Sequence, residues 1–186
     1  MSMIKTIALV AAAAIGVLLV YATTRPDSFR VVRSTTVLAP PARLHGLIND
    51  MHQFNTWNPF DKGDPKARGE YRGPAAGPGA AYHFAGGKSG SGSLQILDSA
   101  PTRVSMELHM LKPMEGRNQV LFTLAPRGDA TEVTWSMDGA MPYVSKLLGV
   151  FVDMDRMIGS QFEAGLADLK QRAERTSSIP EPTFHS

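Results

Sequence analysis

Towards the C-terminus, Leu147, Leu148, Phe151, Met154, Ile158, Phe162, Leu166 and Leu169 recur at steps of three or four residues. That spacing gives an amphipathic helix one broad apolar stripe. The chain offers no other long amphipathic helix, so the apolar face of any sheet formed by the preceding residues has to be buried against this one. Pro142 can open the region, and Gly149 divides a short first helix from the main one.

The preceding residues read as strands. Val104, Met106, Leu108 and Met110 alternate with Ser105, Glu107 and His109. Val120, Phe122 and Leu124 repeat the pattern before a turn at Pro126-Arg127-Gly128-Asp129, and Val133, Trp135 and Met137 repeat it again. Period-two alternation marks antiparallel strands with one face on a core and one face wet. Ala80 to Phe84 and Ser93 to Leu97 add two strands around the Gly86–Gly90 turn, and Gly69 to Arg72 is a short polar candidate. Between them, Gly73 to Gly79 holds two prolines and three glycines and reads as a loop.

Upstream, Phe29 to Leu38 is rich in Val, Thr and Phe and predicts a strand. Pro41 can start a helix, and Leu44, Leu47, Ile48 and Met51 predict one over Pro41 to Asp50. Phe54 to Phe60 follows as a tight aromatic turn or second helix. The order is strand, two short helices, antiparallel strands and a long helix: an α+β domain whose curved sheet wraps around the C-terminal helix. Where sheet and helix separate slightly, a cavity lined by Trp, Met and Phe is expected. Its expected lining is Tyr82, Phe84, Met106, Leu108, Phe122, Trp135 and Met137 from the sheet, and Phe151, Met154 and Ile158 from the helical region.

The first residues differ in kind. Thr6 to Ala22 carries no charge, and Lys5 and Arg25 stand on either side. At 1.5 Å per residue this run reaches roughly 25 Å, enough for a thin hydrocarbon core. Tyr21 sits where an interfacial aromatic anchors a helix end. A cleaved secretory signal is the competing reading, because Val20 and Ala22 fit the small-residue positions before a cut. Residues 1–22 are therefore read as a single-pass N-terminal transmembrane helix or signal segment, 23–28 as a linker, 29–175 as the domain and 176–186 as a disordered tail. Lys5 favours insertion with the N-terminus inside, while Arg25, Arg30 and Arg33 weigh the other flank. The domain is expected outside the cytoplasm.

Composition narrows the function. Of the 186 residues, 43% are hydrophobic and 19% charged, which are globular values. A net charge of +2, with no Lys/Arg stripe, gives no support for nucleic-acid binding. The chain has no cysteine, so disulfides, thiolate metal sites and a cysteine nucleophile are excluded.

Ala39-Pro40-Pro41 with Leu44 and Leu47, the aromatic segment Phe54, Trp57, Asn58 and Pro59, and the run from Met154 to Lys170 occur in this order and spacing. Together they resemble the SRPBCC superfamily, the START-like or polyketide cyclase/dehydrase and lipid-transport proteins, over about Phe29 to Glu174. The last run looks like the final helix of the bacterial polyketide cyclase-like branch. The resemblance implies a helix-grip fold and an interior cavity for an apolar or amphipathic ligand. One activity is not implied, since the superfamily includes lipid carriers, hormone receptors, cyclases and activators of heat-shock ATPases.

Individual motifs add little chemistry. Gly87-Lys88-Ser89 lacks the earlier glycine of a phosphate loop, where Tyr82 stands. The five histidines, His45, His52, His83, His109 and His185, form no metal-ligand pattern and read as surface or rim residues. Asp153 and Asp155 lie about 200° apart around a helix and form no carboxylate pair; Arg156 suits an ion pair with Asp153. Met106, Met110, Met137, Met141, Met154 and Met157 fall on expected core faces, where methionine adapts to varied apolar partners. Trp57 is expected to pack under the first helices.

Catalytic, metal and cofactor residues are assigned to none. Three functions remain open. The first is a membrane-tethered binding module for a small hydrophobic or lipid-like ligand. The second is a cyclase or dehydratase drawing acid and base from Tyr82, His83 or Glu107. The third is a protein-interaction domain.

Overall fold

The computed structural model describes residues 3–62, 68–87, 90–150 and 153–175. The expected disordered tail, Phe151 and Lys88-Ser89 lie outside the described residues. An N-terminal helix α1 (Met3–Thr23) leads into β1 (Ser28–Val37) and three short helices, α2 (Pro41–Asn49), α3 (Met51–Asn55) and α4 (Pro59–Lys62). Six strands follow: β2 (Arg68–Arg72), β3 (Ala81–Ala85), β4 (Ser91–Ala100), β5 (Arg103–Lys112), β6 (Gly116–Arg127) and β7 (Ala130–Ala140). Helices α5 (Tyr143–Leu148) and α6 (Met154–Arg175) complete the order.

All neighbouring strands are antiparallel, and they form one sheet in the order β1-β7-β6-β5-β4-β3-β2. The last strand thus returns to pair with the first. Register lines the inward side chains up in rungs. Phe29, Gly139, Asn118, Leu108, Leu94 and Tyr82 stand opposite one another in turn across six strands. The next rung is Val31, Met137, Val120, Met106 and Ile96, and the next Arg33, Trp135, Phe122 and Val104. This is the helix-grip α+β fold.

Three local readings change. The second of the two expected short helices is split into α3 and α4, with Met51 opening α3 and not closing α2. The turn expected at Pro126 is strand, because β6 runs on to Arg127 and Pro126 pairs with Thr131 of β7. The Leu124 N–H points towards the neighbour on the other side and reaches the Thr102 carbonyl at 2.9 Å. Two residues later the missing N–H of Pro126 faces a region where β5 has already ended, so no ladder bond is lost. Asp153 also differs from its expected role, accepting the backbone N–H of Arg156 at 3.0 Å rather than pairing with its side chain.

Helix α6 runs along β1 and is pinned to it. Arg33 leaves the inner face of β1 and lies across α6, bonding Asp155 at 2.9 Å and Glu163 at 2.7 Å. Between these carboxylates, a Cβ at Gly159 would collide with the guanidinium, so only glycine admits this close approach. Further along, Lys170 donates to the Thr36 carbonyl at 2.7 Å, and Glu174 accepts the Leu38 N–H at 2.8 Å.

Hydrogen bonding to Arg33 holds the Asp155 carboxyl below the usual carboxylate range, and Lys170 with the Leu38 N–H does the same to Glu174. A depressed folded pKa stabilises above the unfolded value and is lost as pH falls through the folded one. The thermal midpoint of the wild-type chain in detergent should exceed that of Asp155→Asn at pH 7. The gap should close below about pH 4. A gap that stays constant from pH 7 to pH 3 would refute the assignment.

Candidate functional site

The concave face of the sheet is the candidate site, and its centre is aromatic. Trp135 of β7 stacks on Phe162 of α6 with ring centroids 4.0 Å apart and planes within 9°. Phe122 lies 4.9 Å from Trp135, while Phe54 and Trp57 meet both rings edge-on at 5.8 to 6.5 Å. Edge-to-face pairs of this kind suit the ring quadrupoles. Gly165 lets α6 come this close, since a Cβ there would sit 2.9 Å from both the Pro59 ring and the Trp135 indole.

The two indoles are not equivalent. Trp57 is fully buried under α2 and donates its Nε1–H to the Leu47 carbonyl at 2.9 Å. Trp135 is 3% exposed, and its Nε1–H has no hydrogen-bond partner among the described residues. A buried donor without an acceptor is costly, of order 1–3 kcal/mol. It is also the natural partner for a polar atom brought in by something else.

The residues expected to line a cavity fall into two groups. Met106, Phe122, Trp135 and Met137 are buried in the closed centre. Tyr82 and Phe84 of β3, Leu108 of β5, and Met154 and Ile158 of α6 lie at the end where β1 begins and β7 finishes. There Phe84, Leu108 and Ile158 are partly buried against the core, as is Phe29, and Met110 is half-buried. This is the open end of the grip. Met157, expected on a core face, is 53% exposed. It sits one position before Ile158, about 100° around the helix and off the stripe that faces the sheet.

Sequence reasoning misses several residues. Phe54 and Phe29 come from segments without a long periodic pattern. Arg33 reads in the sequence only as a flanking charge, yet alternation places it on the inner face with Val31 and Val37. An aromatic chain also extends outward from Tyr82, which lies 4.9 Å from Tyr71, and Tyr71 stacks on His52 at 3.8 Å.

Of the candidate acid–base groups, Tyr82 alone belongs to the concave face. His83 and Glu107 alternate to the outer face, where Glu107 accepts from Arg117 at 2.6 Å. His109 shares that face; its Nε2 lies 3.6 Å from a Glu115 carboxylate oxygen. Among the described residues no group of three or more His, Asp or Glu side chains is placed to hold a metal ion. What the arrangement offers is an adaptable apolar face with one free indole donor.

A seven-stranded antiparallel sheet gripping a C-terminal helix, with an apolar concave face, defines the class of protein. The chain belongs to the polyketide cyclase/dehydrase and lipid transport family, whose model matches residues 28–174. Solved structures agree on the fold. A protein from Mesorhizobium loti superposes with a TM-score of 0.60 at 16% identity, covering 80% of this chain and 98% of the other. One from Chromobacterium violaceum gives 0.57 at 16% identity, covering 81% and 99%. The Aha1 dimer from Colwellia psychrerythraea gives 0.56 at 14% identity, covering 78% and 96%. The comparison with curated proteins finds no match.

Proposed function

We propose that this protein is a membrane-tethered binding module that takes a small hydrophobic or lipid-like ligand against the concave face of its sheet. The unpartnered Trp135 indole N–H inside a largely apolar interior carries the reading. A ligand with an apolar body and one acceptor oxygen matches that surface. The Trp135–Phe162 stack closes the centre, so binding requires those rings or α6 to shift. Met106 and Met137, one rung nearer the open end, are flexible enough to repack around a guest.

The tether rests on α1, 21 residues long with a mean hydropathy of 2.4 and none of its apolar window buried. Insertion with Lys5 inside puts the folded residues on the extracytoplasmic face. They belong to a domain over 29–175, joined to the anchor by 23–28.

Titration of the full chain in detergent with cis-parinaric acid, read by energy transfer from tryptophan, tests the ligand. Saturable transfer is expected above the linear micelle background, and Leu108→Arg at the open end should weaken it about tenfold or more. Purely linear transfer, or equal saturation in wild type and variant, would refute the reading.

A further inference from the structure

Helix α1 does not leave the folded residues as a free leash. Its last turn is held by α5: the Tyr143 hydroxyl donates to the Leu19 carbonyl at 2.9 Å, and Arg25 donates to the Gly149 carbonyl at 3.3 Å. Lys146, 8% exposed, pairs with Asp27 just beyond the helix. Ala22 is fully buried in this contact region and Leu18 is half-buried, although the rest of α1 is exposed. Three polar contacts and a buried alanine fix the direction in which the span meets the domain.

That direction matters because of what surrounds it. Register puts Ser28 opposite Ala140, so β1 starts and β7 ends at the end of the sheet where α1 attaches. The β5–β6 hairpin turns at the same end, beyond the Leu108–Asn118 pair. Exposed apolar side chains gather there: Leu111 and Met114 on the hairpin, Val144 and Leu148 on α5, and Met157 in the first turns of α6, each 41% to 58% exposed. Elsewhere, Val32, Leu38, Tyr71 and Leu97 are spread over β1, the turn after it, β2 and β4, and Phe60 lies on α4. The charges near the cluster are mixed, with Arg25, Asp27, Lys112, Glu115 and Asp153 among them.

From this we infer that the hairpin tip, α5 and the start of α6 form a docking face for the lipid surface that α1 crosses. The occupant is the bilayer because the face continues a bare apolar helix whose only solvent of matching chemistry is lipid. Balanced charge makes the contact one of apolar insertion rather than attraction to anionic headgroups. The open end of the grip, at Phe84, Leu108 and Ile158, then faces the membrane, and a lipid-like ligand reaches it without crossing water. The inference rests on reading α1 as a span, and its test separates the two.

The chain has no cysteine, so single labels are unambiguous. Bimane would be placed on Ala13→Cys in the span, Met114→Cys and Leu148→Cys in the face, and Asp129→Cys on the β6–β7 hairpin at the far end. Each full chain is reconstituted in dioleoylphosphatidylcholine vesicles with or without 5-doxyl-phosphatidylcholine. Quenching of about twofold is expected at 114 and 148, for a depth of 5–10 Å below the headgroups, together with quenching at 13 in the middle of the span, and none at 129. Quenching at 13 but not at 114 or 148 overturns the docking face and leaves the span standing. Absence of quenching at 13 overturns both. Labels at 114 and 148 shielded from aqueous iodide as well as from lipid quencher show a protein partner or a second copy on the face, and also overturn it.

Discussion

Replacing Phe162 by alanine should destabilise the protein by about 3–5 kcal/mol, the cost of emptying a large aromatic site in a core that cannot collapse. The ring is 1% exposed, stacked on Trp135 and met edge-on by Phe60 at 6.5 Å. Its removal takes away the contact through which α6 closes the sheet. At this size each kcal/mol moves the thermal midpoint by about 2–4 °C, so a fall of roughly 10 °C is expected. The readout is thermal unfolding of the full chain in detergent, followed by tryptophan emission. A loss below about 1 kcal/mol, a quarter of the expectation, would mean that α6 is not packed on Trp135 in solution.

Gly165→Val tests the same contact by the opposite perturbation. The added side chain has to displace either the Pro59 ring or the Trp135 indole, each 2.9 Å from where its Cβ would lie. Neither yields easily, since proline is rigid and the indole is wedged between Phe162 and Phe122. Overpacking of this kind costs about 1–3 kcal/mol, and the two walls place this site at the upper end. If the helix is pushed outward instead of the protein unfolding, the Trp135 emission shifts to the red while the transition stays cooperative. Full wild-type stability together with unchanged emission would contradict the close approach. The two variants also bear on binding: Phe162→Ala opens space where a ligand would lie, and Gly165→Val fills it.

The periodic segments are legible in the amino-acid sequence alone. Phe162, Leu166 and Leu169 are buried as their spacing requires, and Val104, Met106, Val120, Phe122, Val133 and Trp135 face inward as their alternation requires. The reason is that burial of a regular element repeats with its backbone period, 3.6 for a helix and 2 for a strand. One misreading falls where that period is interrupted. Leu148 lies on the apolar stripe by count, yet it is 55% exposed, because Gly149 ends α5 and the chain restarts as α6 at Met154. Phase is not carried across a break.

Which residues make the site is less legible, because a site is assembled from elements far apart in sequence. Trp135 and Phe162 are both visible as apolar positions, but their stacking depends on Gly165 and Pro59 arriving together. The free Trp135 N–H is a statement about every acceptor in its neighbourhood, which no single segment contains. Arg33 is similar: its two carboxylate partners come from a helix more than a hundred residues later.

The sequence by itself determined the order of elements apart from the split of the second short helix into α3 and α4, the sheet gripping a C-terminal helix and the presence of an apolar N-terminal helix long enough to span a membrane. Hydrophobic periodicity and run length are local properties, so they survive without knowledge of the rest of the chain. Only the tertiary structure decided that the centre of the concave face is closed by ring stacking and that its open end lies beside α1. Those facts depend on strand register and on α5 docking against the last turn of α1, and both are long-range pairings that a local pattern does not encode.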